Sequence, residues 1–169
     1  MHFELFRRLF ITKFETNNVM QNKILIKNKK ASFEYYLLSK YTAGICLTGT
    51  EIKSIRKGEA SINESYCTFI NNELFIKNMH IAQYEQGTYN NHEPKRDRKL
   101  LLTKHELRKI SLQIKEKGLT VIPVLLYINE KGLVKIEIAV ARGKKLYDKR
   151  ESLKTKDLQR ETSHKLKAR

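Results

Sequence analysis

The chain lacks most of what enzymes and membrane proteins require. It has only two cysteines, Cys46 and Cys67, far apart and without metal-ligand spacing. They read as small, buried, reduced residues of a cytosolic protein. No apolar run approaches the roughly eighteen residues that span a bilayer. The five histidines, His2, His80, His92, His105 and His164, show neither H-x-H nor H-x-x-x-H spacing, so no metal centre is expected. Glycine-rich phosphate loops and the G-x-S-x-G nucleophile turn are absent. A nucleophilic lysine would have to be buried, and Lys144 and Lys145 lie in too dense a run of cations for that. Asp148 reads as a local partner of Lys149 or Arg150 rather than a general base. The chain therefore reads as a non-enzyme without a cofactor. Acidic residues are also short, with 18 Asp and Glu against 34 Lys and Arg, a net charge of +16 over 169 residues. Such a balance favours a polyanionic partner, either nucleic acid or an acidic membrane surface.

What is present suits one domain with a real core, since 40% of the residues are hydrophobic. Residues 1–22 read as an N-terminal extension. The phenylalanines, leucines and basic residues of 1–19 allow an amphipathic helix or a targeting segment, but the favoured reading is an upstream extension ahead of Met20. Residues 23–30 suggest an extended arm ending in Asn28-Lys29-Lys30. A strand should begin at Phe33, break or bulge at Ala43-Gly44, and resume over Ile45-Cys46-Leu47. A helical turn over Glu51–Lys57 closes at Gly58, with Ile52 and Ile55 on one face and Lys53 and Arg56 on another. Tyr66–Ile70 and Leu74–Met79 form a hairpin around Asn71-Asn72. Residues 83–99 read as a long polar loop. Thr103 and Glu106 spell a capping box, opening a helix with Leu107, Ile110 and Ile114 on one stripe. Leu119–Ile128 is an apolar strand with an edge or bulge at Pro123. The clearest alternation follows, with Val134, Ile136, Ile138 and Val140 facing one way and Lys135 and Glu137 the other. Short antiparallel strands with a helix between hairpins suit a mainly β, OB-fold-like barrel with flanking helices over residues 23–147. A split α+β sheet is the alternative.

Basic residues collect in four places: Lys27, Lys29 and Lys30; Lys53, Arg56 and Lys57; Lys95, Arg96, Arg98 and Lys99; and Ala141–Glu151 with Arg142, Lys144, Lys145, Lys149 and Arg150. Together they suggest a composite surface that tracks phosphates, with steep salt dependence. Tyr147, flanked by charge, is the aromatic most available to an RNA base. From Arg142 to Arg169 eleven Lys and Arg face four Asp and Glu. A basic C-terminal tail, residues 148–169, should fold as a helix only against an anionic partner.

Four motifs in order resemble the small protein B family, the SsrA-binding (tmRNA-binding) proteins of bacterial trans-translation. They are Asn28-Lys29-Lys30-Ala31 with Tyr35, the run Gly49–Arg56, the run Arg98–Leu102, and Ala141–Glu151. Residues 1–19 fall outside the resemblance. It implies an OB-fold barrel that binds the tRNA-like domain of tmRNA, brings it to ribosomes stalled without a stop codon, and stands in for the missing anticodon arm. It implies RNA contacts at Asn28, Leu101 and Lys135, and the basic groups add Lys29, Lys30, Lys53, Arg56, Arg98, Lys99, Lys144 and Lys145. It places Tyr147, Asp148, Lys149 and Arg150 at the small-subunit decoding centre, with the tail in the vacant mRNA channel. The further partner is elongation factor Tu carrying alanyl-tmRNA; no membrane role and a cytoplasmic location follow. Thr42 departs from the family, which often has glutamate there. Two other classes stay open: a general OB-fold single-stranded RNA-binding protein and, on the basic surface alone, an RNA-modifying enzyme.

Overall fold

The computed structural model describes residues 25–145 and Tyr147. The extension expected over 1–22 and the tail expected over 148–169, with Asp148, Lys149 and Arg150, lie outside the described residues. In chain order the elements are β1 (Leu25–Lys27), α1 (Ala31–Glu34), β2 (Tyr35–Ile45), α2 (Gly49–Arg56), β3 (Ala60–Ser61), β4 (Tyr66–Ile70), β5 (Glu73–Lys77) and β6 (His80–Ile81). There follow a 3-10 turn (Glu85–Asn90), β7 (Arg98–Leu101), α3 (Lys104–Ile114), β8 (Leu119–Ile128) and β9 (Val134–Gly143).

The strand pairings close on themselves. Strand β8 pairs with β4, β4 with β5, β5 with β7, β7 with β2, β2 with β9, and β9 returns to β8. All are antiparallel, so the mainly β, OB-like fold expected from the sequence is a ring without an open edge. Strand β1 lies outside the ring along β8, with Leu25 opposite Tyr127. The barrel interior is apolar: Leu74, Ile76, Leu126, Ile136 and Ile138 are fully buried, with Ile55 of α2 and Ile110 of α3 in the same cluster. The alternation read in β9 is the one observed.

Turn chemistry explains the connections. Asn71 and Asn72 both take positive φ, 49° and 62°, and Ile70 faces Glu73 directly, a two-residue hairpin loop whose twist suits the strands. Gly58 at φ 80° follows the C-cap of α2 as expected. The Thr103–Glu106 capping box is present. A second one, Thr48–Glu51, opens α2 and was not anticipated. The register shifts between Pro123 and Leu125, which makes the Pro123 region a bulge.

Three expectations need correction. Residues Ala31–Glu34 form a helical turn, so the strand starts at Tyr35 rather than Phe33. Strand β2 runs unbroken through Ala43-Gly44, and its irregularity lies between Leu37 and Ser39. Gly44 serves close approach instead: a Cβ there would meet the Leu101 Cβ at 3.2 Å. The loop expected over 83–99 is shorter and partly ordered, because β7 already begins at Arg98. Of the two cysteines expected to be buried, Cys67 is, which pushes its thiol pKa up, whereas Cys46 is exposed; neither forms a disulfide.

Candidate nucleic-acid interface

Strand register gathers several of the expected RNA contacts on the outer wall of the barrel. Gly44 faces Leu101 on one side and Lys135 on the other. Lys135 in turn faces Tyr127, and Tyr127 faces Leu25. Directly paired residues project to the same face, so this row crosses five strands. It is open to solvent at both ends, Leu101 being 51% and Leu25 50% exposed. Residues Leu101 and Lys135, distant in sequence, thus flank Gly44, whose missing side chain lets Leu101 pack against the strand. Below the row runs a second one of Thr42, Glu137, Leu125 and Lys27. Lys40 pairs with Glu137 at 2.9 Å, so the carboxylate nearest Thr42 on this wall is engaged. A shallow groove of about 540 Å³ follows Leu25, Leu125, Tyr127 and Glu137. Lys99 points outward on β7 and pairs with Glu73.

A second group sits at the opposite end of β2, where Tyr35 faces Gly143. Lys144 lies 4.9 Å from the centre of the Tyr36 ring and donates from Nζ to the Ser32 carbonyl at 3.1 Å. Lys29, Lys30 and Lys145 are exposed nearby, with Lys30 loosely paired to Glu64 at 3.7 Å, and Tyr147 is 68% exposed. A cleft of about 390 Å³ opens beside them, lined by Lys30, Glu34, Tyr35, Glu64 and Tyr66.

Asn28 holds this end together. Its Nδ2 donates to the carbonyls of Ile62 (3.2 Å) and Pro123 (3.0 Å), and its Oδ1 accepts from the backbone N–H of Lys30 and Ala31, each at 3.1 Å. The buried amide joins β1, the start of α1 and the β8 bulge. Asn28→Ala would strand these four groups, so a loss of about 2–3 kcal/mol in folding stability is expected, read as a lower denaturant midpoint. Asn28→Asp should be at least as damaging, because a carboxylate cannot donate to the two carbonyls.

The third group lies around α2, and here the sequence reading is corrected. Arg98 is 0% exposed and cannot meet a phosphate. Its Nε donates to Glu51 Oε1 at 2.8 Å, while its Nη atoms donate to the carbonyls of Met79, Arg96 and Pro94. Arg96 grips the same carboxylate with two nitrogens, at 2.8 and 2.6 Å, and the Thr48 N–H adds a contact of 2.7 Å. Burial alone would raise the Glu51 pKa; the Arg96 fork, the Thr48 N–H and Arg98 outweigh it and hold the carboxyl below its ordinary value. Half of the Lys95–Lys99 basic run is therefore an internal clamp. The signal that could have found it is the T-x-x-E spacing at Thr48–Glu51, read at Thr103 but not here. Lys53 and Arg56 remain exposed on α2, and Arg56 Nη2 lies 4.0 Å from the position of a Cβ on Gly132. The candidate residues thus occupy one wall and both ends of a barrel whose strand β2 is on the order of 30 Å long. Among the described residues, no cluster of His, Cys, Asp and Glu could hold a metal ion.

The family model described as SmpB protein matches residues 25–168. An SsrA-binding protein of Phocaeicola vulgatus is 62% identical over 82% of this chain and 92% of its own length. One of Cytophaga hutchinsonii is 60% identical over 86% of this chain and 95% of its own length. A solved chain described as "tmRNA-SmpB: a journey to the center of the bacterial ribosome" superposes with a TM-score of 0.62 at 45% identity, covering 73% of this chain and 86% of that one.

Proposed function

We propose, from the premise that this chain belongs to the SmpB protein family, that it binds tmRNA and brings it to stalled ribosomes. The barrel holds the tRNA-like domain. Residues 148–169, led by Asp148, Lys149 and Arg150 with Tyr147 before them, enter the decoding centre and the empty mRNA channel. Elongation factor Tu accompanies the alanylated RNA. The protein supplies contacts and no chemistry of its own, acting in the cytoplasm. Among the described residues no helix is long and apolar enough to cross a membrane.

The observation that carries this reading is the outer-wall row in which Leu101, Gly44 and Lys135 lie side by side. A basic group and an exposed leucine on one face of the sheet suit a ribose-phosphate edge pressed against the wall. Lys135→Ala is expected to weaken tmRNA binding and to reduce the slope of log K against log salt by about 1. A filter-binding titration of the full chain at several salt concentrations checks this. An unchanged slope and affinity would remove the wall from the RNA interface.

A further inference from the structure

We infer that the rim formed by α2 and the 84–91 loop is a second RNA site, which stacks an unpaired base on Tyr89 and sets flanking phosphates on Lys53, Arg56 and Lys57. It rests on the function proposed above only for the choice of RNA probes. The loop is built to present an aromatic outward. Asn91 closes its neck, with Oδ1 accepting from the Tyr84 N–H at 3.0 Å and Nδ2 donating to the Tyr84 carbonyl at 2.8 Å. The Gly87 N–H also donates to that carbonyl, at 2.8 Å, and a Cβ on Gly87 would lie 2.9 Å from the Asn91 side chain. Beyond this neck Thr88 takes a φ of 41°, a strained value for a β-branched residue. Tyr89 follows at 93% exposure. A tight turn that holds strain and leaves a whole aromatic ring in water has no packing reason to exist.

The base of the loop is fixed to the barrel. Buried His92 meets the Thr50 hydroxyl at 2.9 Å and the Ile81 carbonyl at 3.2 Å. A carbonyl only accepts, so Nε2 donates to Ile81. The Glu51 clamp ties Arg96 and Arg98 just beyond. Cations line the neighbouring helix face. The Nζ atoms of Lys53 and Lys57 lie 5.0 and 5.1 Å from the centre of the Tyr84 ring, which gathers both at the end of α2 beside the loop neck. Lys57 also pairs with Glu85 at 3.2 Å, whereas Lys53 and Arg56 enter no salt bridge among the described residues. An exposed aromatic tip on a loop whose neck residue Tyr84 packs against Lys53 matches a nucleobase face with phosphates along α2. An acidic peptide would use the cations and leave Tyr89 idle.

The chain contains no tryptophan, so Tyr89→Trp creates a single reporter at the tip. Its fluorescence should quench when a short single-stranded RNA oligonucleotide is titrated in; no quenching overturns the proposal. In the full chain, Tyr89→Ala should weaken binding to tmRNA, by filter retention, or to vacant ribosomes, by co-sedimentation, by about five- to a hundredfold, and Tyr89→Phe should not. Which partner is affected identifies the RNA source. Replacing Lys53, Arg56 and Lys57 by glutamine should flatten the salt dependence for that same partner. Unchanged affinity for both partners, equal losses from the Phe and Ala variants, or competition by polyglutamate as effective as by the oligonucleotide would each overturn it. Lys135→Ala runs in parallel: if it alone leaves tmRNA binding intact, the wall assignment fails and the rim stands.

Discussion

Glu51→Gln should cost about 3–5 kcal/mol of folding stability, the largest effect expected of any single substitution in the barrel. The carboxylate neutralises a fully buried guanidinium and a half-buried one. A glutamine keeps the shape, removes the charge, and turns an NH2 group toward donors that need an acceptor. Arg98 would keep only its carbonyl partners at Met79, Arg96 and Pro94. With domains typically stable by about 5–15 kcal/mol, a large shift in urea midpoint is expected. Replacing both ends, Glu51→Leu with Arg98→Met, should be less harmful than Glu51→Gln alone, since the fully buried guanidinium goes with its carboxylate and the partly exposed Arg96 can turn to water. A Glu51→Gln protein within about 1 kcal/mol of the parent would contradict the clamp. The pH dependence has a definite sign. The folded-state pKa of Glu51 lies below the ordinary value of 4.5, so its contribution is present above that pH and is lost as pH falls through the lower folded value. The parent should lose stability in this acid window more steeply than the glutamine variant does.

Deleting residues 151–169 should leave tmRNA affinity within about tenfold of the parent while tagging of stalled chains falls to background. The segment carries six Lys and Arg against three Asp and Glu, a modest part of the total positive charge. Its removal therefore takes away little of the general attraction to RNA, and at physiological salt less still. The wall at Leu101, Gly44 and Lys135 is untouched by the deletion. Lys149→Ala with Arg150→Ala should give the same separation in milder form. Collapse of tmRNA affinity on truncation would mean that barrel and tail do not divide the work. Filter binding and a reconstituted tagging assay on the same preparations distinguish these outcomes.

Much of the barrel was legible because its signals are local. The alternation from Val134 to Val140 states which face of β9 is inside, the Asn71-Asn72 pair states the hairpin, and Thr103 with Glu106 states a helix start. Gly44 was harder: a glycine in a strand can mark a bend or a close approach, and only the cross-strand neighbour Leu101 decides between them. Arg98 was misread because it sits in a dense charged run, and its partner Glu51 lies 47 residues away. Four residues of β7 are too few to reveal that Arg98 and Leu100 point in while Lys99 and Leu101 point out. Asn28 read as the end of an extended arm and as an RNA contact, yet it is buried and its amide is held by Ile62 and Pro123, contacts that span 34 and 95 positions. The resemblance supplied the pairing of Leu101 with Lys135 as RNA contacts; the register supplies the physical reason that one ligand could touch both.

Selective recognition of tmRNA is tested by a competition titration of the full chain at one fixed salt concentration. Labelled tmRNA is displaced by unlabelled tmRNA, by an ordinary tRNA, or by an unstructured oligonucleotide of similar length. Displacement by tmRNA is expected at far lower concentration than by either of the others. Displacement by the unstructured oligonucleotide at the same concentration as by tmRNA would contradict it, and would make the barrel a general single-strand binder.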